Sequence, residues 1–496
     1  MSNTRNTTSV RQENSNGKRH AIVIGGSIAG LLTARVLRDH FDQVTLIERD
    51  SYPSQPAARK GVPQGNHVHV LMKRGQLILE ELFPGLTDQL IASGALEIDM
   101  ASESAWLTPA GFGVNFRSGL TMLTMTRPLL DSEVRRRLLP DRQITILDNT
   151  EVVSLIPNET NEDVVGVVIR ARVQDTMAST HVPLHSDLVV DATGRGSAAP
   201  RWLEELGFGQ PKETVINAFQ GYSSRLFKKP GDSSEDWKCA YIQSAPPHRK
   251  RGGIIFPVEG DRWLLSLVGG GRDYPPSDEQ GYLEFAQNLA HPMIYNAVKD
   301  LEPCSPIHSY RAAENRLRHY ELMNRLPNNF LVIGDATCAF NPVYGQGMTI
   351  AAIGALTLSE TLADQKKRFS DGSLKGMSSV FQKRLAKVNS APWLLATGED
   401  CRFLETEGAK PNFKTRFMHS YLDRVVELTI TDKEVRRTLI EIFHMLRKPN
   451  SLFHPKILLK VIWLSLFSPR HSVSKQKQAN VGRISQQVLR KSQSAG

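Results

Sequence analysis

Short apolar runs alternate with glycine-rich turns at both ends of the chain, and the middle is different. Ala21 to Ile24 is a four-residue apolar run that ends in Gly25-Gly26-Ser27-Ile28-Ala29-Gly30. The apolar spacing of Leu31 to Leu37 predicts a helix, and Val44 to Ile47 predicts a second strand closed by Glu48. A polar loop, Arg49 to Gly65, leads to a periodic segment at Leu71 to Leu82 that reads as a helix. Arg127 precedes Pro128, a residue suited to a first helical turn, and Arg135-Arg136-Arg137 gives that helix a basic face. Alternation at Ile144–Leu147, Val152–Leu155 and Val164–Val173 predicts a meander of strands, and Asp187 to Asp191 a further short strand. From Val215 to Gly271 the pattern is strand-rich, clearest at Gly252–Pro257 and Trp263–Val268. Phe330 to Ile333 returns to a buried strand before Gly334-Asp335, a long helix runs from Gly347 to about Ala363, and the remainder reads as helical.

Strand–turn–helix signals on either side of a β-rich middle predict a mixed α/β fold. In it a discontinuous Rossmann-like nucleotide domain is interrupted by a β-sheet domain. The expected boundaries are a disordered leader at 1–19, the nucleotide domain at 20–100, 124–208 and 328–370, the second domain at 101–123 and 209–327, and a helical C-terminal region at 371–496. A length of 496 residues, 40% of them hydrophobic, is enough for two or three such units.

Charge changes this picture at one end only. The net charge is +10, and residues 446–496 hold ten Lys or Arg with no Asp or Glu, so everything before Leu446 is formally neutral. Within that tail, Ile457 to Phe467 is apolar apart from Lys460 and Ser465. Eleven residues are too few to span a bilayer, which takes roughly 20. The segment is expected either to pack on the body or to lie in an anionic membrane interface with Trp463 at headgroup depth. The tail lacks interleaved aromatics, so no nucleic-acid partner is expected. Four dispersed cysteines without a CxxC pair argue against a zinc site or a thiol pair and fit a reducing, cytoplasmic compartment; no metal site is expected.

Chemistry concentrates in two glycine-rich turns. Gly25 turns off the first strand, Gly26 and Ser27 lie where backbone meets a diphosphate, and Gly30 lets the helix pack closely. Glu48, 23 residues after Gly25, can take both ribose hydroxyls. The middle glycine of the usual motif is Ser27 here; the strand before, the helix after and the acid at this distance point to dinucleotide binding over a plain capped helix with Glu48 as an exposed strand-end charge, but this turn alone does not separate NAD from FAD. The second turn decides. Gly334-Asp335 follows a strand, and Pro342, Gly345, Gln346, Gly347 and Met348 open a new helix about 310 residues later in the chain. Two helix N-termini suit one long ligand such as FAD, held at its diphosphate and again at its ring.

On these residues a resemblance becomes visible. GGSIAG, Asp187-Leu188-Val189-Val190-Asp191-Ala192-Thr193-Gly194-Arg195-Gly196-Ser197 and GDATCAFNPVYGQGM are similar to the three FAD fingerprints of the para-hydroxybenzoate hydroxylase-like flavoprotein monooxygenases. The segment Arg59 to His69, RKGVPQGNHVH, resembles that of the bacterial polyether epoxidases, a branch akin to squalene epoxidase. The resemblance implies that Gly25, Gly26, Ser27, Ile28, Gly30, Glu48 and Arg49 hold the ADP half of FAD and that Val152 lies beside the adenine. It implies that Gly334 and Asp335 hold the ribityl side and that Arg59 and Arg127 reach the cofactor, with His67 a further candidate. The middle fingerprint of self-sufficient hydroxylases carries Asp where this chain has Thr193, which puts direct NADPH reduction in question.

The implied function is an FAD-dependent monooxygenase. O2, activated as a flavin C4a-hydroperoxide, delivers one oxygen atom to an apolar small molecule, with epoxidation of a polyketide or isoprenoid favoured and hydroxylation as the other outcome. Electrons come from NAD(P)H directly or through a separate flavin reductase. Such oxygen transfer to an alkene needs positioning and a dry site rather than a protein nucleophile, so no catalytic residue is singled out. A reductase acting on isoprenoid double bonds and a non-catalytic flavin carrier are the alternatives. A flavin halogenase is not expected, because no Trp-x-Trp occurs, nor is a disulfide reductase, because the first cysteine is Cys239.

Overall fold

The computed structural model describes residues 18–172, 181–231, 235–311 and 314–467. At its centre is a five-stranded parallel sheet in the order Phe330–Val332, Leu188–Asp191, His20–Ile24, Gln43–Ile47, Ile144–Leu147. His20–Ile24 is buried throughout because both faces of the sheet are covered. Ala21 and Val23 pack among the helices Ile28–Leu37, Lys73–Leu82, Arg127–Leu138 and Gly347–Arg368. Ile22 and Ile24 pack on the opposite side, against Leu155, Val164, Val167 and Trp202. That second layer is the helix Ala199–Glu205 and an antiparallel meander of Thr150–Pro157, Val164–Ala171 and His181–His185.

Ile144–Leu147, expected as the first strand of the meander, instead closes the parallel sheet, with Val44 opposite Ile144. The turn that follows explains the split. Asn149 takes φ 49°, its N–H bonds to Asp50 O, and the chain reverses before Thr150. The arginine run is also not a free basic face. Arg135 stacks on Tyr52, Arg136 pairs with Glu133 at 2.7 Å, and Arg137 Nε donates to Gln89 at 2.5 Å. Val173 and residues 1–17 of the expected leader lie outside the described residues. Arg19, assigned to that leader, donates its N–H to Asp42 at 2.7 Å as part of the fold.

A seven-stranded sheet forms a second layer system, in the order His308–Tyr310, Gly221–Lys228, Arg262–Gly269, Arg251–Val258, Cys239–Ile242, Ser104–Thr108, Gly111–Phe112. One face is sealed by the helices Glu279–Gln287 and Met293–Val298 around Trp263, Tyr282 and Ile294. The other face is turned towards the segment 67–70, where Val68 N–H donates to Ser266 Oγ at 2.9 Å.

Four helices, Met377–Asp400, Phe413–Leu428, Lys433–Phe443 and Pro455–Phe467, complete the described chain. The last packs by Ile457 and Val461 against Tyr421, Val425 and Val435, so one of the two expectations for this segment is realised on that stripe. No helix among the described residues is long and apolar enough to cross a membrane.

The tightest junction in the nucleotide domain is at Gly30, where a Cβ would fall 1.7 Å from Gly25 O. Gly30→Ala is expected to lower stability by about 1–3 kcal/mol, the usual range for overpacking. Equilibrium denaturation of the purified protein checks it.

Candidate functional site

Three glycines bring the three turns together. A Cβ on Gly25, which holds φ +99°, would meet Ala192 O at 2.7 Å; one on Gly334, at φ +65°, would meet Ala29 Cβ at 2.9 Å. One on Gly194 would lie 3.9 Å from Asp335 Cβ. The ends of three neighbouring parallel strands thus share one small volume, the edge at which open α/β sheets bind ligands.

At the first turn Glu48 is buried and accepts from Gly26 N–H at 2.8 Å and Asp50 N–H at 2.9 Å. Ser27 stands at the N-cap of the Ile28–Leu37 helix without a side-chain bond to the helix's own N–H groups and with no acid in the first turn, which leaves that N-terminus suited to an anion. Above it sits a layer of charge. Arg59 lies 3.0 Å from Glu48 and 3.7 Å from Asp131 and donates to Gly26 O at 3.1 Å. Arg127 donates to Ser27 Oγ at 2.9 Å and to Asp131 at 2.7 Å. Tyr52 donates to Gly26 O at 2.8 Å and is flanked by the guanidinium groups of Arg59 and Arg135. Of the three arginines named for the site from the sequence, Arg59 and Arg127 therefore converge on the cradle. Asp131 and Tyr52 were not named. Asp131 carried a signal, since it lies four residues after Arg127 on one helix face, whereas nothing in the sequence marks Tyr52.

At the second turn the Asp335 carboxylate accepts no hydrogen bond from the described residues. Burial raises its pKa, and Arg195 and Arg127 oppose that shift. Pro342–Tyr344 forms a single helical turn ended by Gly345 at φ +64°, and the space beside Gly347 is open. Gln346 precedes the Gly347–Arg368 helix, and its Oε1 is buried without a partner. These features fit a dinucleotide such as FAD. A glycine cradle admits backbone to the diphosphate, Glu48 and Asp335 offer carboxylates to sugar hydroxyls, and Gln346 Oε1 is a buried polar atom lacking a hydrogen-bond partner. Ile28 and Met348 turn their side chains into the core, so only their backbone can serve a ligand. Arg49 is exposed at the end of the second strand, and Val152 lies on the meander, packed against the core that includes Ile47.

The loop 342–347 rests on the second sheet. Val343 packs with Tyr222, Tyr310 and Val268, and Tyr222 Oη accepts from Val343 N–H at 2.9 Å while bonding to Asn341. Beside it His67 bonds Ser224 at 2.7 Å, and Ser224 bonds Ser266 at 2.5 Å. Burial pushes His67 down to about 3 and His69 down to about 4, so both rings are neutral near pH 7. From the C-terminal region Asp400 reaches the same loop. It accepts from Tyr344 Oη at 2.6 Å, Gln220 at 2.8 Å and Asn315 at 2.6 Å. Burial pushes Asp400 up to about 7, with Glu399 adding to the effect and the bonds from Tyr344 and Gln220 opposing it. Its role was not legible in the sequence, since position 400 stands outside every motif.

The model of the FAD binding domain family matches residues 18–375. Protein Rv3254 of Mycobacterium tuberculosis (strain ATCC 25618 / H37Rv) is 31% identical over 400 residues, covering 78% of this chain and 81% of that protein. Among solved structures, the flavin-dependent brominase Bmp2 superposes with a TM-score of 0.63 at 14% identity, over 91% of this chain and all of that one. PqsL of Pseudomonas aeruginosa, named as a probable FAD-dependent monooxygenase, gives 0.57 at 16% identity, over 77% of this chain and 96% of that one. At these identities the two structures establish the fold.

Asp335→Ala is expected to weaken FAD retention about 10- to 100-fold, the effect of losing a charged hydrogen-bond partner. Flavin absorbance per protein after gel filtration reads it. For Asp400, a carboxyl raised above its unfolded value favours the folded state at low pH and loses that advantage as pH rises from about 4 to about 7. The melting temperature of Asp400→Asn, taken relative to the parent protein, should therefore climb across that window. A pH-independent difference would show that Asp400 does not titrate there.

Proposed function

This chain belongs to the FAD binding domain family, and from that membership we propose that it is an FAD-dependent monooxygenase that adds one oxygen atom of O2 to an apolar organic molecule, by epoxidation of an alkene of polyketide or isoprenoid type. The observation that carries the reading is the meeting of three strand-end turns beside a sheet face that offers neutral hydrogen-bonding groups. FAD, when bound, supplies the electrons and activates the O2.

The chain's own residues prepare that chemistry. Glu48 and Asp335 are disposed to take sugar hydroxyls, while Arg59 and Arg127 set positive charge beside the diphosphate cradle. The N-terminus of the Gly347–Arg368 helix would present backbone N–H dipoles able to stabilise negative charge on a bound flavin. Asp400 and Tyr222 brace the loop that presents this helix end, one through Tyr344 and the other through Val343 N–H. Packing of Val343, Tyr222, Tyr310 and Val268 keeps the junction apolar and restricts water.

Epoxidation is favoured over phenol hydroxylation by the state of the two histidines. A ring whose conjugate acid has a pKa of about 3 or 4 is a poor base for a phenol, whose proton is held at about 10. An alkene needs no such base. Arg318 and Arg195 are held by backbone carbonyls, Arg195 at Glu314 O and Phe340 O, so neither is free to pair with an anionic substrate.

The test is oxygen uptake by the FAD-loaded protein with a polyene or isoprenoid alkene, NADPH and an added flavin reductase, using isotopically labelled O2. One labelled oxygen per product molecule is expected. Turnover without O2 would replace this reading with that of a reductase. Because Thr193 stands where self-sufficient relatives carry Asp, NADPH alone should bleach the flavin at least about tenfold more slowly than NADPH with the reductase, a difference of about 1.4 kcal/mol in barrier. Equal rates would assign the electron donor to NADPH acting directly.

A further inference from the structure

The helix Pro455–Phe467 is apolar on two sides, and the fold uses one of them. Ile457 and Val461 are buried against the helices Phe413–Leu428 and Lys433–Phe443. Leu458, Leu459, Ile462, Trp463, Leu466 and Phe467 are exposed, Trp463 by 62% and Phe467 by 67%. At about 100° per residue these six fall within one half of the helix circumference, opposite the packed stripe. The rings of Trp463 and Phe467 meet in a tilted arrangement at 5.5 Å between centroids, which concentrates aromatic surface at the helix end. A continuous apolar face of this kind is uncommon on a monomeric soluble protein and marks an interaction site.

Charge identifies the occupant. Lys460, beside this face, is bound to Asp432 at 2.5 Å and lies 3.8 Å from Glu434, so it is already compensated. The six Lys and Arg residues from 468 to 496 have no acidic residue among them, and Lys448 and Lys456 make no ion pair among the described residues. A protein partner would require a complementary acidic surface with an apolar centre. An anionic bilayer offers both at once, hydrocarbon beneath a layer of negative headgroups. The helix is 13 residues long, about 20 Å at 1.5 Å per residue, and so can lie in the interface without crossing a hydrocarbon core of about 30 Å.

We propose that the exposed half of the Pro455–Phe467 helix, with the basic segment that follows it, docks the protein on an anionic membrane surface. Trp463 sits at headgroup depth, Leu459, Leu466 and Phe467 enter the acyl boundary, and the following cations neutralise lipid headgroups. The inference stands apart from the proposed reaction, since it uses no residue of the flavin site.

Cosedimentation of the full chain with vesicles tests it, comparing phosphatidylcholine alone with phosphatidylcholine containing phosphatidylglycerol. Binding is expected with the anionic vesicles and should fall when 1 M salt shortens the screening length to about 3 Å. The full chain carrying Leu459→Ser, Trp463→Ser and Phe467→Ser should bind at least about tenfold more weakly, since burial of those side chains drives the insertion. Because all three are exposed, its flavin content and melting temperature should match the parent. A chain ending at Phe467 should keep the apolar face and lose most of the preference for anionic vesicles. Absence of vesicle binding by the full chain would overturn the proposal, as would binding indifferent to the triple substitution. So would a concentration-dependent dimer that the substitution dissolves, which would assign the face to a second copy of the chain.

Discussion

The constraint on which the rest depends is a backbone contact with no room for a side chain. Gly25 O occupies the place of a Cβ at residue 30, and Ala192 O crowds the place of one at residue 25. These contacts press the first helix onto the ends of two neighbouring strands, and a third strand delivers Gly334 against Ala29. Any larger residue at these positions would separate three segments that are far apart in the chain. The charged layer of Arg59, Arg127 and Asp131 is a consequence of that closeness, because Arg59 reaches the cradle from the loop after the second strand and Arg127 and Asp131 reach it from the helix Arg127–Leu138.

Much of this geometry was legible in the sequence, for a physical reason. Glycine at positive φ and a strand of four apolar residues covered on both faces are local requirements, and they leave local marks at Gly25, Gly334 and Ala21–Ile24. Ile144–Leu147 was assigned to the wrong sheet because its four residues have the same alternation as the meander; only Asn149 at φ 49° separates them. The arginines at 135–137 looked like a free basic face because charge runs usually are, and here Tyr52, Glu133 and Gln89 absorb them. Tyr52 and Asp400 could not be found this way. Their partners lie 26 and 56 residues away in the chain, at Gly26 and Tyr344, and no spacing rule links such pairs.

The polar groups of the site divide by how they are satisfied. His67, His69 and Tyr222 are held neutral by burial, which keeps charge away from the sheet face. The arginines are instead matched by carboxylates or carbonyl oxygens, as buried cations must be. Asp335 differs from both groups, since its carboxylate meets only the fields of Arg195 and Arg127. An acid left in that condition is the natural anchor for a ligand that brings its own hydroxyl groups.

The family match closes at residue 375, yet the support of the loop at 342–347 does not. Its last strut is Asp400, at the far end of the helix Met377–Asp400, and that same carboxylate ties Tyr344 of the loop to Gln220 and Asn315 beside the second sheet. The helix Met377–Asp400 is therefore a keystone between the loop and the second sheet and not an appendage to either. Anyone exchanging lobes between relatives to retarget the catalyst must carry this helix across with its contacts, because a chimera cut at the motif boundary would keep every fingerprint and lose the span that holds them in register.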